Sequence, residues 1–247
     1  VIDRIVDLEN AEIPALTKEE VKDICDRVYD ELHFNKYIAE DKDGVLRALS
    51  SIKDSGSITL EENVDLGNEI ISIPEGKVIS IDLGGKEMTL ATASNIPGIQ
   101  VVGGSLSIEN GTINATKRAL QAYGGGSITL GEGAEVISGD VAVGATGAGS
   151  EIIIDGGSIT AQESGVLVTS GARVEMNHGT ITGLDNGPIM GNGTKGQGDV
   201  EIVMNGGELI ANIQSAGYVA VGVYMPNSGS FTMNGGRIVA NGGAGIV

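Results

Sequence analysis

Tryptophan is absent from the 247 residues, and phenylalanine occurs only at Phe34 and Phe231. The hydrophobic 40% is therefore carried by Ile, Val, Leu and Ala, a set of β-branched and small side chains suited to narrow sheet interiors. Cysteine occurs once, at Cys25, which excludes an intramolecular disulfide framework and leaves the redox compartment open. Its place among helical apolar positions predicts a buried thiol. Positive charge is scarce too, with 15 Lys and Arg against 33 Asp and Glu, for a net charge of -18. The excess is spread along the chain: residues 1–54 carry 14 acids against 8 bases, and the remainder 19 against 7. Beyond Gly104 the only cations are Lys117, Arg118, Arg173, Lys195 and Arg237. A phosphate backbone would be repelled by such a surface, so no nucleic-acid partner is expected. No apolar run reaches the length of a membrane-spanning helix, and no membrane span is expected. The opening Val1-Ile2-Asp3-Arg4 does not read as a signal peptide.

Glycine is plentiful, at 40 residues, more than twice its usual share of about 7%. It shows no three-residue period, so collagen is excluded. Ahead of the glycine-rich part, Thr17 and Glu20 form a capping box for a helix with apolar residues at Val21, Ile24, Cys25, Val28 and Leu32. A turn at Asp41-Lys42-Asp43-Gly44 precedes a second short helix through Val45, Leu46, Leu49 and Ile52, with Asp43 as its expected cap. These acids lack the calcium-loop pattern, and no metal or cofactor is expected. The second helix is expected to close the first coil of the glycine-rich β domain.

From Ser55 onward the chain repeats. First strands carry inward pairs at Leu106/Ile108, Ile128/Leu130, Ile152/Ile154, Val174/Met176, Ile202/Met204 and Phe231/Met233. Two-residue spacing puts both side chains of a pair on one face. Turn glycines come next at Gly111, Gly133, Gly157, Gly179, Gly207 and Gly236, separated by 22, 24, 22, 28 and 29 residues, the period of a solenoid. Second strands resume after each turn, and third strands are read at Val141/Val143, Val166/Val168, Pro188-Ile189-Met190, Val219/Val221/Val223 and Ile246. Three short strands per repeat leave about four residues for each corner, which predicts a triangular coil. The predicted fold is therefore all-β, a right-handed parallel β-helix over residues 55–247 behind a helical attachment or capping segment, 1–54. Asn177, Asn205 and Asn234, each two before a turn glycine, are expected to stack as an amide ladder. The last coil stops partway, at Gly245-Ile246-Val247, so either further chain or a partner is expected to cover that apolar end.

This pattern resembles the pectin-lyase-like right-handed β-helix superfamily. The stretches Gly56-Ser57-Ile58-Thr59-Leu60-Glu61-Glu62-Asn63-Val64 and Ile73-Pro74-Glu75-Gly76-Lys77-Val78-Ile79-Ser80-Ile81-Asp82-Leu83-Gly84-Gly85 are similar to β-helical repeat modules of surface proteins of anaerobic bacteria. Phage appendages and tailspikes are similar in architecture, often with a helical attachment element ahead of a trimeric β-helix. The resemblance implies a fold more than a function, because lyases, hydrolases, adhesins and viral fibres share it.

Asp140, Glu163 and Asp185 follow second strands of successive coils and form the best available line of carboxylates for glycoside cleavage. On a chain with 33 acids, solvated turn acids are the expected reading. His178 lies in a turn and evokes a polygalacturonase-like histidine, but the Asp-Asp step and basic motif that accompany it in that family are missing. Arg173, Lys195 and Arg237 likewise lack a lyase context. Tyr123, Tyr218 and Tyr224 are candidate sugar-stacking platforms, with the long insertions 186–198 and 213–225 as the expected contact side. The expected function is a non-enzymatic structural or adhesive virion component, such as a fibre or spike, that meets other virion proteins, a surface or a glycan. Self-association as a homotrimer through the N-terminal helices is expected with it. A bacterial cell-surface or extracellular adhesin module and a carbohydrate-active lyase or hydrolase are the alternatives.

Overall fold

The inward pairs read from the sequence stack one above another. In a computed structural model, residues 17–33, 35–93, 95–192, 195–212, 217 and 219–247 are described, without the side chains of 26, 27 and 29–33. Along the first face, Ile58, Ile81, Ile108, Leu130, Ile154, Met176, Met204 and Met233 lie in one register column, each partnered with the next across a parallel ladder. A second column runs Val64, Met88, Ile113, Val136, Ile159, Ile181, Leu209, Ile238. The third runs Ile71, Ile99, Leu120, Val143, Val166, Ile189, Val223, Ile246. Nearly every member is buried until the last coil. Each such side chain contributes about 1.5–3 kcal/mol on leaving water, and three columns meeting at the centre form one continuous aliphatic core.

The unit Lys36–Val247 is thus a parallel β-solenoid of about nine turns. First-face strands include Ser55–Leu60, Val78–Asp82, Ser105–Glu109, Ser127–Leu130, Val200–Met204 and Gly229–Met233. Second-face strands include Val64–Gly67, Glu87–Leu90, Gly111–Ala115, Ala134–Ser138, Glu208–Ala211 and Arg237–Ala240. Glu151–Ala161 and Arg173–Gly183 run through both faces, with a register break between Ile154 and Ser158 where they bend. The third face holds Ile71–Pro74, Ile99–Val102, Leu120–Tyr123, Val143–Thr146, Ser164–Thr169, Gly187–Gly191, Val221–Tyr224 and Ala244–Ile246.

One turn glycine shows why the corners require this residue. Gly179 has φ +97°, and a Cβ there would sit 2.0 Å from the Gly157 carbonyl oxygen. Only a residue without a side chain lets consecutive coils approach so closely.

Several local expectations are corrected. The strand Asn35–Ala39, which the pattern did not reveal, adds to the first face beside Ser55–Leu60. Helix α2, Lys42–Ser51, which follows helix α1, Lys18–His33, in the chain, is capped by Asp41 rather than Asp43: Asp41 is extended, and its Oδ1 accepts from the Gly44 amide at 2.7 Å. Asp43 is already inside the first turn. Helix α2 buries Val45 and Ala48, followed by Ile52, in the same core as the first coil, while the Lys77 ammonium donates to the Leu49 carbonyl at its C-terminal end. Val219 lies outside the last full third-face strand and is 64% exposed. Leu120–Tyr123 is a further third-face strand, and its inward pair, Leu120 and Ala122, holds only one large apolar side chain and so gives a weak signal.

The second unit, Val1–Asn35, is described from Thr17 and contains helix α1, Lys18–His33. Its capping box forms as expected: Glu20 N–H donates to Thr17 Oγ1 at 3.2 Å, and Thr17 N–H donates to the Glu20 carboxylate at 2.8 Å. The latter hydrogen bond holds the Glu20 carboxyl below its ordinary value. Cys25 is exposed, as are Val21, Ile24 and Val28, so the expected burial of the thiol is overturned.

Candidate functional site

The three carboxylates read as a line come together at the corner between the second and third faces. Glu163 stacks on Asp140, its amide donating to the Asp140 carbonyl at 3.2 Å, and Asn186 stacks on Glu163 in the same manner at 3.1 Å. Asp185 is therefore one residue out of line. Burial raises the Glu163 pKa; Asp140 and Asp185 raise it further, against the opposing pull of Lys117 and Arg118. Two cations thus face three acids here, an arrangement hidden in the sequence because Lys117 and Arg118 belong to an earlier coil.

The local bonds of these groups are those of a folded corner. Asp140 Oδ1 accepts the Val141 amide at 2.7 Å, and the Asp140 amide donates to Ser138 Oγ, which in turn donates to the Lys117 carbonyl at 2.6 Å. Asp185 accepts from the Gln162 side-chain amide at 2.8 Å. Carboxylates that tie down neighbouring amides stabilise a turn. Glycoside cleavage instead needs a pair held across an open scissile bond, with one member poised to donate a proton. Glu163 reaches solvent at this corner, and its partial burial and the neighbouring carboxylates raise its pKa, the direction a proton donor needs.

The tyrosines separate. Tyr123 closes Leu120–Tyr123, half-buried, with burial raising its hydroxyl pKa against the opposing charge of Arg118. Tyr224 closes Val221–Tyr224 and pairs in register with Met190. Both point outward from the third face, but in different register columns and four coils apart, about 19 Å at the spacing of parallel strands. Tyr218 lies outside the described residues. His178 is exposed and pairs with Asp155 across the first-face corner.

A cationic clamp was not recognised in the sequence. Arg173 reaches Glu151 in the coil before, Glu175 two residues on at 2.5 Å, and Glu201 in the coil after at 3.0 Å. Burial lowers the pKa of its guanidinium, and the hydrogen bonds to Glu175 and Glu151 outweigh this and raise it. A cleft of about 400 Å³ opens beside it, lined also by Ser150 and Asp199. The available signal was register: Glu151, Arg173 and Glu201 each immediately precede the first inward residue, Ile152, Val174 or Ile202.

The expected amide ladder is present. Asn205 donates to Asn177 at 2.8 Å, and Asn234 donates to Asn205 at 2.7 Å. In the enlarged coils, buried Asn192 donates to the carbonyls of Gly198 and Ser228, fastening two corners together. Among the described residues no group of three or more His, Cys, Asp or Glu side chains is placed to hold a metal ion, and no helix is long and apolar enough to cross a membrane. No family model, curated protein or solved structure matches this chain.

Proposed function

We propose that this chain is a non-enzymatic structural and adhesive element, a right-handed member of the pectin-lyase-like solenoids that serves as a module of a virion fibre or spike. The observation that carries the reading is the use made of outward polar side chains. Asn177, Asn205 and Asn234 bond to one another, Arg173 joins three successive coils, and Thr146 and Thr169 share a hydroxyl hydrogen bond. Such contacts hold coil to coil and stiffen a solenoid against local opening. Right-handedness follows the rule for parallel crossovers, obeyed in about 98% of cases. The same stack suits a module of a bacterial surface protein, and display is the function in either setting.

A carbohydrate-active enzyme is the second reading, favoured by one specific feature: Glu163, with its pKa raised, stands between Asp140 and Asp185. Incubation with neutral and acidic polysaccharides, followed by chromatography of released oligosaccharides, separates the two. The structural reading expects no release above a heat-inactivated control. Turnover that disappears in Glu163→Gln and Asp140→Asn would establish the enzyme instead.

A further inference from the structure

The acids of this chain avoid one face. On the first face, outward strand positions include Asp82, Glu151 and Glu175, and on the second Glu87, Glu135 and Glu208. The eight strands of the third face, from Ile71–Pro74 to Ala244–Ile246, contain no Asp, Glu, Lys or Arg. With 33 acids in 247 residues, and with Arg118, Asp140 and Glu163 along one border of this face, the gap coincides with a defined piece of structure.

What stands there has the character of a contact surface. Val102 is 41% exposed, and Tyr123, Leu167, Met190 and Tyr224 are half-exposed and directed outward. Leu167, Met190 and Tyr224 share one register column. The polar groups between them are partly satisfied internally: Gln121 donates to Thr146 Oγ1 at 3.1 Å, and Thr146 bonds Thr169 at 3.0 Å. Removing such a surface from water therefore strips few polar groups of partners. Charge depletion at the centre, with aromatic and methionine side chains inside a charged rim, is the composition of a protein interface.

We propose that this uncharged third face is a self-association surface on which a second copy of the chain docks face to face, related by a two-fold axis. Charge selects the partner. A cationic protein would gain most on the two acid-bearing faces, whereas two copies, each carrying -18, can approach closely only where neither presents an acid. An isologous pairing then sets Leu167 and Met190 of each copy against the same stripe of the other. The strands span about 34 Å by about 13 Å, roughly 440 Å² on each copy, which is below a standard specific interface and within the range of weak, transient ones. The pair is therefore reversible and concentration-dependent. Because the remaining charges repel, it also tightens as salt rises. This goes beyond the structural reading by naming a partner, and it places the contact on the solenoid rather than on helix α1.

Sedimentation velocity of the full chain from about 1 to about 100 µM, at about 0.05 and about 0.5 M NaCl, tests it. The expected result is a monomer–dimer equilibrium that is tighter at the higher salt. Leu167→Glu and Met190→Glu, outward substitutions whose folding is checked by circular dichroism, weaken it at least about ten-fold, the equivalent of roughly 1.4 kcal/mol. Thr129→Glu on the first face and Val28→Glu on helix α1 leave it unchanged. A monomer under every condition overturns the proposal, as does dissociation by Val28→Glu alone. So does an unchanged mass in Leu167→Glu accompanied by loss of retention on a neutral-glycan column, which would make the face a sugar site. A monomer that also releases no oligosaccharide defeats this proposal and leaves the structural reading standing, whereas a dimer that cleaves polysaccharide does the reverse.

Discussion

Gly179 and Gly67 both have positive φ, +97° and +59°, but their surroundings differ completely. A Cβ at Gly67 meets nothing within 4 Å, whereas one at Gly179 strikes the Gly157 carbonyl oxygen. Gly67→Ala should therefore cost about 1 kcal/mol of left-handed strain, and Gly179→Ala about 2–4 kcal/mol as strain and overlap combine. Urea midpoints of the two variants check this. Glu163 makes a prediction of a different kind. Its folded pKa is raised above 4.5 by burial and by Asp140 and Asp185. An acid shifted upward is best tolerated while protonated, so its favourable contribution is complete below pH 4.5 and is lost as pH rises through the folded value. Glu163→Gln should then be more stable than the parent at neutral pH, with the advantage vanishing below pH 4.5. Thermal melts across that window measure it, and a constant difference would reject the assignment.

At the scale of elements, strands that are mostly four to six residues long are held by their neighbours above and below. The Asn177–Asn205–Asn234 ladder adds side-chain amide bonds to that backbone pairing, and Asn205 is its centre, bonded to Asn177, Asn234 and Glu175. Asn205→Ala breaks three bonds at an exposed corner and should cost about 1 kcal/mol, read as a lower denaturant midpoint with an unchanged slope. Asn234→Ala breaks only its link to Asn205 and should cost less. Helix α2 shows how an element closes a stack: Val45, Ala48 and Ile52 enter the apolar end that the first coil would otherwise expose. The opposite end differs, with Met233 at 43% and Ile246 at 51% exposure. Helix α1 carries a sound capping box, and its described apolar side chains Val21, Ile24 and Val28 are exposed.

For the whole molecule, a net charge of -18 opposes compaction. Raising NaCl from about 0.01 to about 1 M shortens the screening length from about 30 to about 3 Å, and the melting temperature should rise by a few degrees. Differential scanning calorimetry measures it. A falling melting temperature would mean that ion pairs such as those of Arg173 outweigh the general repulsion.

The solenoid was legible in the residues alone. Two-residue apolar spacing, turn glycines and a period of 22 to 29 residues leave few alternatives, because each coil can bury its apolar pairs only against the next. The amide ladder was legible for the same reason, since equal positions in successive repeats become neighbours. Folding in three dimensions was needed for whatever depends on exact register and on which side chain reaches which coil. A one-residue offset separates Asp185 from the Asp140–Glu163 stack, Lys117 and Arg118 meet acids of later coils, and Arg173 becomes a clamp only when Glu151 and Glu201 lie on either side of it. The uncharged third face was invisible for a related reason. Its strands are scattered through the chain between charged corners, and only stacking gathers them into one surface.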